Sequence, residues 1–339
     1  MINLIERLSA LPGVSGDEDA VRSAIIHEID GIAPWRVDAL GNLIVEKKGK
    51  KTPKNKLLFS AHMDEVGLII TAAESSGMLR FATVGGIHTA ALIGKPVRIG
   101  TDGITGVIGT KAVHLQSGEE RDKLPKLEDL YLDIGADSKE EALEKVRLGD
   151  RAVFDSSFLC FGEDCIMGKA LDDRAGCTLL IEMIRSELEY DCAFSFTVQE
   201  ETGTAGAKTA AYQLQPEIAI AVETTTASDI PDVGEHKTVC QVGGGPVVSF
   251  MDKGTIYDQE LYRLAMETAR EHGILAQPKA GVYGGNEARS LQTAAAGARV
   301  LAISLPCRYL HSPACMLKQS DINGTRELLM ALLPRLAQL

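Results

Sequence analysis

Short apolar runs that each lead into a carboxylate or an imidazole recur along this chain. Leu57-Leu58-Phe59-Ser60-Ala61 leads to His62 and Asp64. Residues 192–198 lead to Glu200 and Glu201 ahead of a glycine-containing turn, 218–222 lead to Glu223, and 301–305 precede His311. An unbroken apolar run of strand length suits a strand covered on both faces, as in a parallel sheet flanked by helices. Helix-like text separates these runs, at 174–188, 206–213, 258–272 and 320–333. In the third of these, Leu261, Leu264, Ala265 and Ala269 share one face. The alternation predicts an α/β fold with a mainly parallel central sheet. Sites in open α/β sheets lie beyond the carboxyl ends of the strands, so the polar residues after each run are expected to converge.

Residues from about Gly67 onward change character. Short β-like runs at 68–70, 79–81, 97–99 and 106–109 alternate with Gly and Thr turns, and one helix-like stretch at 138–147 interrupts them. This pattern predicts a small β-rich domain at 67–161, inserted into a catalytic domain made of 1–66 and 162–339. A chain of 339 residues fits about two domains at roughly 150 residues each. Near the start, Ser15 with Glu18 three residues later reads as a capping box opening a helix through Val21, Ile25 and Ile29.

Composition excludes several functions. A formal net charge of −12 argues against nucleic acid and against an anionic membrane surface. No apolar run reaches the roughly eighteen residues that a membrane-spanning helix needs. The first residues, Met1-Ile2-Asn3-Leu4-Ile5-Glu6-Arg7-Leu8, lack the layout of a signal peptide, and a cytoplasmic protein is expected. The seven cysteines are odd in number and scattered. Cys160 and Cys165 form a pair with no second pair to complete a zinc site, so all seven are read as reduced thiols.

The strand-end residues are metal-ligand types. His62 and Asp64 stand two apart, so one can ligate while the other hydrogen-bonds the ring's second nitrogen or a neighbouring ligand. Asp172 and Asp173 open a helix. Asp173 suits an N-cap, which leaves Asp172 free to bridge two cations with its two oxygens. One of Glu200 and Glu201 can bind metal while the other takes a proton from water at the metal. Glu223 and His311 complete the set. Each feature alone has a bland reading as a cap, a turn or a solvated face, and His27, His88, His114, His236 and His272 are given that reading. Together they point to a two-metal hydrolase.

Four segments, 61–67, 170–176, 198–201 and 308–313, resemble in order and spacing the tetrahedral (TET) metallo-aminopeptidases, and Leu11-Pro12-Gly13-Val14-Ser15-Gly16 resembles that family's opening. The resemblance implies one metal on His62, Asp172 and Glu223 and another on Asp172, Glu201 and His311. It implies Glu200 as general base, Asp64 as the residue behind His62, and a cis peptide between Asp172 and Asp173. It further implies two divalent ions per chain, zinc first with cobalt or manganese as substitutes, peptide substrates cut at the amino terminus, and a dodecamer built from dimers through the inserted domain. The chain departs from the family in having Glu223 where Asp is common and Asn286-Glu287 where Thr-Asp is common, so substrate preference is left open. Two competing readings are a related dinuclear deacylase or carboxypeptidase, and a metal-free glycoside hydrolase, for which two carboxylates suffice but the histidines have no role.

Overall fold

The computed structural model describes residues 1–339, except for the side chain of Glu235. Its main sheet has eight strands in the order Trp35–Val37, Leu43–Lys47, Cys192–Thr197, Leu57–His62, Ile218–Thr226, Arg299–Cys307, Val247–Val248 and Gln277–Pro278. The central strands Cys192–Thr197, Leu57–His62, Ile218–Thr226 and Arg299–Cys307 are parallel to one another. Leu43–Lys47 and Val247–Val248 run antiparallel to them on either side, so the sheet is mixed, with a parallel centre. The apolar-run pattern reports only strands buried on both faces. The antiparallel edge Trp35–Val37 is exposed along its length and carries no such pattern.

All six residues of Leu57–His62 are buried, as a strand needs when both faces are covered. The helices Leu171–Arg185 and Gln319–Leu336 pack against the sheet and each other, and Ala205–Leu214 and Ala288–Thr293 form a second packed pair. Ile2–Ala10 and Asp19–Ile29 lie on Leu171–Arg185. The predicted capping box is not formed, and the second helix instead begins after Glu18. Ser15 Oγ donates to Asp64 Oδ2 at 2.6 Å, while Glu18 Oε1 accepts from the amides of Gly16 and Gln199. Each side chain thus has a long-range partner, Asp64 for Ser15 and Gln199 for Glu18.

Six strands between Gly67 and Phe154 close into a barrel, in the order Gly67–Ala73, Leu79–Val84, Tyr131–Asp133, Ile104–Gly109, Pro96–Ile99 and Arg151–Phe154. The barrel has its own apolar core, including Leu68, Ile70, Val97, Ile99, Ile108, Leu132 and Phe154. Leu159–Phe161 lies outside it, pairing with Cys165–Gly168, which pairs in turn with Cys315–Lys318. The helix expected near 138–147 is Lys139–Lys145, capped by the Ser138 side chain. All seven cysteines are unpaired, and among the described residues no helix is long and apolar enough to cross a membrane.

Candidate metal centre

The carboxyl ends of the central strands meet in a cleft of about 590 Å³, lined by His62, Asp172, Glu200, Glu201, Glu223 and His311 among others. Every residue expected to ligate metal or to act as base therefore reaches one cavity. One donor atom from each of His62, Asp172 and Glu201 lies within 4.8 Å of the others. Asp172 is central: its Oδ1 is 3.5 Å from His62 Nε2 and its Oδ2 is 3.3 Å from His311 Nε2. Glu201 Oε1 is 3.2 Å from the same His311 nitrogen. Glu223 stands on the adjacent strand Ile218–Thr226 and lines the same cleft, outside that group of three.

Local chain geometry puts these groups in place. The peptide between Asp172 and Asp173 is cis. Asp173 does cap the helix, accepting from the amide of Gly176 at 3.0 Å, and it also accepts from the amide of His62 at 3.2 Å. The Cys192–Thr197 strand stops short of the two glutamates, and Gln199 adopts a positive φ of 55°, so Glu200 and Glu201 sit on a turn instead of alternating along a strand. Asp64 is fully buried and fixes that turn, accepting from the amides of Glu200 at 2.9 Å and Glu201 at 3.1 Å. His62 Nδ1 is 3.0 Å from the Asp64 main-chain oxygen and 3.5 Å from its carboxylate, so the carbonyl is the ring's nearer partner. Nε2 is thereby turned to the cleft.

Burial and mutual repulsion shift the carboxyls of the cleft. Burial, opposed by His62 and reinforced by the charges of Glu201, Asp64 and Asp172, pushes the Glu200 carboxyl up to about 8. Burial likewise raises Glu201, against its contact with His311, and raises Glu223 well above the carboxylate range beside Glu200 and Asp172. Burial also pushes Asp172 upward, but its hydrogen bonds to His311 and His62 outweigh that and hold it low. The same contacts with Asp172 and Glu201 overcome burial and lift His311 to about 11. A divalent cation bound among these groups would displace such protons.

Glu201 Oε1 supplies the test of fit. It is buried without a hydrogen bond, and His311 Nε2 lies 3.2 Å away. A buried unpaired carboxylate oxygen is costly unless something positive meets it. Two imidazoles and several carboxylates turned towards one another form the mixed N/O donor set that suits zinc and its neighbours.

Sequence reasoning missed several contributors. His88, set aside as bland, lines the cleft, as do Thr224, Thr225, Thr226, Lys279 and Tyr283. Lys279 is only 5% exposed and makes no ion pair among the described residues. Arg289 is exposed at the rim and likewise makes no ion pair among the described residues. The run of three threonines closing a buried strand was a visible signal; nothing local marks Lys279.

A family model described as M42 glutamyl aminopeptidase matches residues 41–328. A putative aminopeptidase of Acetivibrio thermocellus is 39% identical over 97% of this chain and 97% of its own length. The lysyl aminopeptidase of Pyrococcus furiosus is 32% identical over 98% of this chain and 96% of its own. Among solved structures, the Pyrococcus horikoshii TET1 peptidase, described as able to assemble into a tetrahedron or a large octahedral shell, superposes with a TM-score of 0.87. It is 40% identical and aligns over 98% of both chains. On this likeness across nearly its whole length, the chain belongs to the M42 glutamyl aminopeptidase family and is a peptide hydrolase.

Proposed function

We propose that the protein is a dinuclear-metal aminopeptidase that removes residues from the free amino terminus of peptides. The observation that carries the reading is the placement of Asp172, one carboxylate oxygen facing His62 Nε2 and the other facing His311 Nε2. A carboxylate presented this way suits two cations at once. His62, Asp172 and Glu223 would hold one ion, and Asp172, Glu201 and His311 the other. Zinc fits the donors, with cobalt or manganese as substitutes.

When bound, the two ions would supply Lewis acidity, polarising the scissile carbonyl and lowering the pKa of the attacking water. Glu200 is the general base. From its place in the cleft it would take a proton from the attacking water and return it to the leaving amine. Asp64 acts through its neighbours, fixing the His62 ring with its carbonyl and the turn of Glu200 and Glu201 with its carboxylate. Residues 67–161 are read as an inserted domain for dimerisation within a tetrahedral dodecamer; one relative is described as forming a tetrahedron or a large octahedral shell. The enzyme is placed in the cytoplasm, acting on peptides small enough to enter such an enclosure.

The test is a panel of peptides and aminoacyl anilides with free or acetylated amino termini, after Zn, Co or Mn is added to metal-free protein. Cleavage confined to free amino termini supports the reading. Preference for acetylated substrates moves it to a deacylase, and loss of residues from the carboxyl end moves it to a carboxypeptidase.

A further inference from the structure

The barrel reaches into the metal centre at one point. Its first hairpin pairs Gly67 with Val84, so the chain leaves the hairpin beside Val66, two residues from Asp64. The next two residues are Gly85 and Gly86. Gly85 has φ +80°, and a Cβ there would lie 2.8 Å from Val66 Cγ1, 3.2 Å from Glu201 Cβ and 3.3 Å from Glu201 Oε2. The carbonyl oxygen of Gly86 is 2.9 Å from His311 Nδ1. A carbonyl only accepts, so Nδ1 carries a proton in either charge state, and Nε2 is the nitrogen turned towards Asp172 and Glu201. His62 receives the same service from Asp64, a residue outside the barrel.

Resting on the dinuclear reading above, we propose that the Gly85-Gly86 turn is the positioning element for His311 and Glu201. One of the two metal positions then depends on how the barrel is seated, and the other does not. The two glycines have separate tasks. Absence of a side chain at Gly85 lets the barrel backbone close on Glu201, and that closeness brings the Gly86 carbonyl to the imidazole. Partners that orient a ligating histidine contribute typically 10–100-fold in metal affinity. Loss of this turn's position should therefore weaken the His311 position selectively and leave the His62 position intact.

The experiment is a calorimetric zinc titration of full-length Gly85→Ala beside wild type. Gly94→Ala serves as a control for strain, being a barrel glycine at φ +73° with nothing within 4 Å of its added Cβ. Wild type and Gly94→Ala should each bind two ions with matching affinities. Gly85→Ala should keep one site at wild-type affinity and weaken the other about tenfold or more. If Gly85→Ala does not fold, Val66→Ala/Gly85→Ala removes the nearest clash, and Val66→Ala alone becomes its reference. Unchanged affinities in the Gly85 variant, or equal weakening in Gly94→Ala, would overturn the positioning role while leaving the dinuclear reading in place. A single ion bound by wild type would instead overturn the dinuclear reading and this inference with it.

Discussion

Glu200 and Glu201 are neighbours in sequence, line one cleft, and are proposed to do different work there. Glu201 Oε1 is buried without a hydrogen bond, 3.2 Å from His311 Nε2. Burial pushes the Glu200 carboxyl up to about 8. Glu200→Gln should retain both metals and lose roughly 100-fold or more in kcat, the usual scale for a general base. Glu201→Gln should lose metal. Metal analysis beside steady-state kinetics checks this, and the opposite pattern would exchange the two roles. The cleft residues were legible in the sequence because most follow a strand signal, Asp172 instead opening a helix, and all belong to a small set of chemical types. Ser15 was not. Its hydrogen bond to Asp64 spans distant segments, and a serine before a helix reads locally as a cap.

At the level of elements, the strands that carry the site were visible and those that frame the sheet were not. Continuous apolar runs announce strands such as Leu57–His62, but Val247–Val248 and Gln277–Pro278 are two residues each and leave no periodic trace. Closure of the barrel rests on pairings such as Val97 with Phe154, which no local pattern encodes. A buried ion cluster ties the elements behind the site. Lys169 Nζ contacts both Glu65 oxygens at 2.8 and 3.0 Å, and Arg174 contacts Glu65 at 3.2 Å and the Met63 carbonyl at 2.9 Å. Both cations also bond to the Leu11 carbonyl, so the first helix, the segment after His62 and the helix opening at Asp172 are held together. Glu65→Ala strands two buried cations and should cost about 3–5 kcal/mol, the scale for breaking a buried pair. Chemical denaturation of metal-saturated protein measures this; a loss below about 1 kcal/mol would mean that water or rearrangement satisfies both cations.

At the scale of the whole molecule, the protein is strongly acidic, with a formal net charge of −12, and the cleft adds further carboxylates. That balance draws divalent cations and repels nucleic acid. The barrel exposes Val107, Val113, Leu115 and Leu124, large apolar side chains that a free monomer would leave in water. If the chain assembles as the family resemblance implies, light scattering on metal-loaded protein should report a dodecamer, and small-angle scattering a hollow particle. A monomer at micromolar concentration with metal bound would contradict the proposed assembly. The central claim is that two ions act together in one cleft. Its most direct measurement is peptidase activity followed while a divalent metal is titrated into metal-free protein. Activity should rise until two equivalents per chain are bound and then level off, and a chelator should abolish it. Activity that survives chelation, or that saturates below one equivalent, would contradict the account.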